Sequence, residues 1–186
     1  MCKICDGFSL DEVMADYSDR IAEHGFVLVG VEGPRVDGVD RPPAWAYTVG
    51  LLDAADHPEL VIAGGVSAEL MGSLLSFLAR SVLEGERYDV DDEIVLAHGS
   101  ARVGAVHEIQ HELGTFNVWD NLRRIGTLQT QELEAVQIVL PSNLFCSVHR
   151  FVQPLLDDPH ARVDAPRPRP NRAERRRHRH GYGRSA

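Results

Sequence analysis

The sequence predicts a single α+β domain, a central and mostly antiparallel sheet packed by two or three helices, followed by a disordered basic tail. Short β-branched runs and longer amphipathic stretches are intermixed without a repeating strand-helix period. No internal repeat is present. With 44% hydrophobic and 25% charged residues, the 186 positions suffice for one good core. The domain is expected over residues 1–160 and the tail over residues 161–186.

Ser9-Leu10-Asp11-Glu12 forms a capping box, in which the Ser9 hydroxyl accepts from the Glu12 amide and the Glu12 carboxylate accepts in return. The helix it starts should run from about Leu10 to His24, bury Val13, Tyr17 and Ile21, and stop at Gly25. The β-branched run Phe26–Val31 reads as a strand, and 32–43, full of Gly, Pro and Asp, as a loop. In Trp45–Leu51 large and small side chains alternate, so Trp45, Tyr47, Val49 and Leu51 are expected on one face of a second strand.

After a loop at 53–58, Leu60–Ala63 reads as a buried strand. Ser67 should cap a helix reaching Leu83, with Leu70, Leu74, Leu75, Leu78 and Val82 turned inward. Further strands are expected at Glu93–Ala97, Ala101–Glu108 and Ala135–Leu140, and a further helix around Phe116–Arg124. Trp45, Trp119 and Phe151 are core or interface residues, with the core expected for each.

The net charge of -9 conceals an asymmetry: residues 167–186 carry eight arginines and one acid, leaving -16 on the first 166 residues. Such a tail has almost nothing to bury, and Pro166, Pro168 and Pro170 oppose regular structure. Arg172, Arg175, Arg176, Arg177 and Arg179 can hold an acidic partner, nucleic acid included, with salt-dependent affinity. The alternative is a solubilising tail that folds back on its own acidic domain. No apolar run is long enough for a membrane helix, and the first residues lack the basic and apolar regions of a secretory signal, so a cytoplasmic protein is expected.

Two constellations compete for a metal. Cys2-x-x-Cys5 and Cys146-x-x-His149 together supply the four ligands of a tetrahedral zinc site, which would staple the N-terminus to the last element of the domain. Alternatively, Cys2 and Cys5 sit in a frayed terminus and Cys146 in the core. A reversible Cys2/Cys5 redox pair is a third possibility, without the usual strand-before and helix-after setting.

The second constellation is His107-Glu108-Ile109-Gln110-His111, an H-E-x-x-H pattern in which two histidines would bind a catalytic zinc and Glu108 would act as general base. With Gly114 and Asn117 it comes one letter from the metzincin pattern, but no methionine follows residue 71 to supply a methionine turn. If the preceding strand continues through Glu108, the two histidines lie about 13 Å apart, too far to share an ion. The motif is therefore expected to be an accident at a strand end.

A third candidate is the neighbourhood of His57 and Glu59, with Asp53 and Asp56, beside Tyr47 and Thr48. Loops between core strands often meet ligands, and a histidine near carboxylates can titrate near neutrality. In the plainer reading, Pro58 sets the start of the strand and His57 caps a turn. No G-x-S-x-G elbow, Walker loop or G-x-G-x-x-G occurs.

Several pieces carry a family resemblance: Cys2-Lys3-Ile4-Cys5-Asp6, His24-Gly25-Phe26, Pro42-Pro43-Ala44 leading into Trp45-Ala46-Tyr47-Thr48-Val49-Gly50-Leu51, and His57-Pro58-Glu59-Leu60-Val61-Ile62. Together they resemble the bacterial domain of unknown function 4262 family, which implies an α+β domain and no established activity. The HPEL element after an aromatic strand is also similar to the Suppressor-of-fused-like superfamily, which implies binding rather than catalysis. The function expected from all this is a cytoplasmic binding or regulatory module with a structural zinc. A small zinc-dependent hydrolase using the H-E-x-x-H motif, and a nucleic-acid- or ribosome-associated accessory protein acting through its tail, are the alternatives.

Overall fold

The structure, a computed structural model, describes residues 7–31, 45–64, 66–97 and 99–141. In chain order its elements are α1 (Leu10–His24), β1 (Val27–Val31), β2 (Trp45–Val49), α2 (Leu51–Ala55), β3 (Glu59–Ala63), α3 (Ala68–Leu83), β4 (Glu93–Leu96), β5 (Gly99–Ala105), α4 (Ile109–Glu112), α5 (Asn117–Arg124) and β6 (Ala135–Val139). The capping box of α1 forms as expected: Glu12 N–H donates to the Ser9 hydroxyl at 3.2 Å and Ser9 N–H to the Glu12 carboxylate at 2.8 Å. Gly25, at φ 80°, closes the helix in the left-handed region that glycine enters without strain.

The six strands make one sheet in the order β1-β2-β3-β6-β5-β4. Every neighbouring pair is antiparallel except β3 and β6, which run parallel. The α+β class with a mostly antiparallel sheet is therefore the observed one.

Because side chains alternate across a strand, the sheet has two apolar faces. On one, Leu60, Ile62, Ala101, Val103, Val136 and Ile138 pack with Met71, Leu75, Leu78 and Val82 of α3. On the other, Val27, Val29, Tyr47, Val49 and Val61 meet Val13 and Met14 of α1 and Phe116, Trp119 and Leu122 from the α5 region.

Four local expectations need correction. Leu51 does not continue β2; it starts the short helix α2, and its buried side chain enters the α3-side core rather than the face of Tyr47 and Val49. The reason is Gly50, whose φ of 119° turns the chain out of the sheet. Residues 53–55, expected in a loop, are helical in consequence. Leu70 is 39% exposed rather than turned inward, and the inward position one residue on belongs to Met71. Finally, β5 ends at Ala105, short of Glu108. Helices number five among the described residues, of which α2 and α4 are only five and four residues long.

Candidate functional site

Tyr47, Thr48, His57 and Glu59 flank the β2–α2–β3 turn, and all four are buried. Backbone pairing of β2 with β3 covers Trp45 to Tyr47 against Val61 to Ala63. At the next position the strands part, and Leu60 N–H donates to the Thr48 hydroxyl at 2.8 Å. Thr48 in turn bonds the Glu59 carboxylate at 2.6 Å.

The other carboxylate oxygen accepts from Gly50 N–H at 2.7 Å and, at the longer distance of 3.4 Å, from Leu52 N–H. Glu59 thus caps the start of α2 with amides that have no partner inside so short a helix. Burial pushes its carboxyl up to about 7, against the opposing hydrogen bonds from Thr48 and the 50–52 backbone.

Gly50 has to be glycine twice over. Beyond its positive φ, a Cβ there would stand 2.7 Å from the Gly25 carbonyl oxygen and 3.2 Å from the Phe26 Cα. The close approach joins the end of α1 to the start of α2.

His57 spans two segments. Its Nδ1 lies 2.7 Å from the Pro58 carbonyl oxygen, which can only accept, so Nδ1 carries the proton and Nε2 accepts from Tyr88 N–H at 3.0 Å. Burial holds the imidazole below its ordinary range, keeping it neutral in this role. Tyr47 meets Phe116 edge-on at 5.0 Å, its hydroxyl accepts from Val118 N–H at 3.3 Å, and burial pushes its phenol up. Asp53, on α2, accepts from the amides of Gln129 and Thr130 at 2.6 and 2.8 Å and from the Thr130 hydroxyl. Partial burial works against ionisation there, but the bonds from Thr130 and Gln129 hold the carboxyl below its ordinary range. Thr48 and Glu59 form a sealed polar knot with the backbone of Gly50, Leu52 and Leu60, while Tyr47 and His57 are bonded separately, to Val118 and to Pro58 and Tyr88.

The H-E-x-x-H residues lie neither on a strand nor on a long helix. His107 follows β5, and its Nδ1 accepts from Ile109 N–H at 3.1 Å. His111 sits on the single turn of α4, which ends at Leu113 before Gly114. Its Nε2 pairs with Asp120 of α5 at 2.6 Å, and its ring meets Trp119 edge-on at 5.9 Å. The extended spacing expected for these histidines is thus replaced by a turn, whose start is fixed by Gln110 N–H to His107 O and His111 N–H to Glu108 O. Among the described residues no group of three His, Cys, Asp or Glu side chains is arranged to hold a metal ion.

The sequence did not point to the opening at the edge of the sheet. There a cleft of about 360 Å³ is lined by Arg20 and His24 of α1, by Phe26, Val27 and Leu28 at the start of β1, and by Ser76 and Arg80 of α3. Two of the six arginines among the described residues line it, in a chain whose first 166 residues carry -16. Each of these side chains alone reads as an ordinary helix-surface residue, and only the fold brings them together.

Cys2, Cys5, Cys146 and His149, like the five tail arginines from Arg172 to Arg179, lie outside the described residues. None of the described helices is long and apolar enough to cross a membrane. Neither the curated proteins nor the solved structures give a match to the chain. A family model does match, over residues 20–144, a span that holds all six strands, α2 to α5, the polar knot and every residue lining the cleft. The chain belongs to the family described as a domain of unknown function, DUF4262.

Proposed function

We propose that this chain is a binding module whose ligand is anionic and whose site is the cleft between α1, β1 and α3. The observation that carries this reading is the gathering of Arg20, His24 and Arg80 around one open concavity of an otherwise acidic body. The polar groups that sequence favours for chemistry are already engaged elsewhere. Glu59 and His57 hold the backbone, and His111 Nε2 is bonded to Asp120, so the hydrolase reading gains no support.

The test is titration of fluorescein-labelled polyglutamate at low salt into the full chain with Arg172, Arg175, Arg176, Arg177 and Arg179 changed to Gln, with and without Arg80→Glu, and against labelled polylysine. Saturable binding of polyglutamate that weakens at least about tenfold on Arg80→Glu supports the reading. Equal binding by both proteins, or preference for polylysine, overturns it.

The zinc staple at Cys2, Cys5, Cys146 and His149 is a second part of the proposal, supported by ligand spacing that uses every cysteine of the chain. It predicts about one equivalent of zinc, lost on Cys5→Ser and kept on His107→Ala, as read by metal analysis. The reverse pattern would move the metal to the H-E-x-x-H turn. A cytoplasmic location fits thiols kept reduced for that role, and the arginine-rich tail would add a separate contact to an acidic partner.

A further inference from the structure

We infer that the cleft takes an extended acidic segment of a partner protein, which adds to the sheet as a seventh strand along β1. This rests on the anion-binding reading above and names its occupant. β1 is an outer strand of the sheet, with β2 on one side and no described strand on the other. Such an edge carries a row of backbone N–H and C=O groups suited to pairing with another chain.

The two helices beside it lie on opposite faces of the sheet, α1 with the core of Val27 and Val29 and α3 with the core of Phe26. Their side chains form the two walls of the cleft and the start of β1 its floor. An added strand would lie one strand spacing beyond β1, about 4.8 Å, between those walls.

The walls also specify the charge pattern of the occupant. Successive side chains of an extended segment point to opposite faces. One carboxylate would therefore face Arg20 and His24, and the next in sequence would face Arg80 and the Ser76 hydroxyl. Adjacent acidic residues, or acids three apart, satisfy both walls; acids two apart satisfy only one.

Arg20 is held by Asp16 at 3.0 Å, and His24 lies 3.6 Å from Glu23, but these are exposed neighbours on one helix surface. Pairs of that kind contribute little and yield to a carboxylate fixed by backbone pairing. The chain's own arginine-rich end has the wrong sign for this cleft.

The experiment uses the full chain and three labelled synthetic peptides of equal length and charge: valine-threonine strands with a central Glu-Asp pair, the same with the two acids separated by one residue, and the first with prolines at alternate positions. Binding is followed by fluorescence anisotropy, and hydrogen exchange is measured on the β1 amides. The inference expects the paired-acid peptide to bind at least about tenfold more tightly than either control, to slow exchange at Val27 to Val31, and to lose affinity on both Arg20→Glu and Arg80→Glu.

Equal binding of all three peptides with unprotected β1 amides would overturn strand addition, and the anion site in the cleft would stand only if that binding weakened on Arg80→Glu. Binding of none would overturn both readings. Self-association of the chain alone, abolished by Arg80→Glu, would give the cleft to a second copy and overturn the separate partner.

Discussion

The polar knot around Glu59 and the cleft beside β1 lie at the two ends of the same close contact between Gly25 and Gly50, yet they treat charged groups in opposite ways. In the knot a carboxylate is fully buried and bonded to Thr48, Gly50 and Leu52. In the cleft Arg20 and Arg80 are exposed, and Arg20 pairs with an i,i+4 neighbour, Asp16. A buried ionisable group with its bonds complete serves the fold, because any ligand would first have to break those bonds at a cost of several kcal/mol, a magnitude usual for opening such a network. Exposed cations around a concavity have no such obligation.

Six substitutions test that contrast. Gly50→Val should be the most damaging, by roughly 3–5 kcal/mol, since it combines a positive φ with a clash against the Gly25 carbonyl. Chemical denaturation reads this, and a loss under about 1 kcal/mol would mean that α1 and α2 can separate without harm. Glu59→Ala follows at about 2–4 kcal/mol, leaving Gly50 N–H and the Thr48 hydroxyl without their acceptor.

The same carboxyl makes a pH prediction. It titrates near 7 in the folded chain against 4.5 when exposed, so between those values the folded state holds a proton that the unfolded state has released. Its contribution is fully present below about 4.5 and is lost as pH rises to about 7. Thermal unfolding should therefore show a wild-type stability that declines across that window, and Glu59→Gln should flatten the slope. An unchanged slope would mean that Glu59 is ionised throughout.

His57→Ala should cost about 1–3 kcal/mol by leaving Tyr88 N–H unbonded. Its denaturation midpoint should fall between those of Glu59→Ala and the wild type. Arg20→Glu and Arg80→Glu should shift stability by under about 0.5 kcal/mol, as surface changes do. A larger loss in either would draw the cleft into the fold and dissolve its difference from the knot.

Much of the framework was legible because it rests on local chemistry. Ser9 and Glu12 announce α1, Gly25 ends it, Ser67 starts α3, and the alternation in Trp45–Val49 puts Trp45, Tyr47 and Val49 on one face. What escaped the sequence depends on contacts between distant segments. The turn at Gly50 looks like one more strand residue until the Gly25 carbonyl is known to lie against it. The sequence singles out Tyr47, Thr48, His57 and Glu59, but whether each faces a ligand or the backbone follows from features such as the strand divergence after Tyr47, which no spacing encodes. The cleft was invisible because Arg20 and Arg80 are sixty residues apart and each sits on a helix surface where arginine is unremarkable.

The position of β6 has a consequence for the order of assembly. The first three strands are antiparallel neighbours in sequence, and β4 and β5 form a hairpin, so each half of the sheet can close over short separations. Within the sheet the halves are joined by β6, which pairs with β3 on one side and β5 on the other. During synthesis both halves therefore wait, each with the inner edge that β6 will pair still open, until residues 135–139 leave the ribosome. The last described strand acts as the latch of the domain, and a chain interrupted before it carries two sticky half-sheets in place of one closed core.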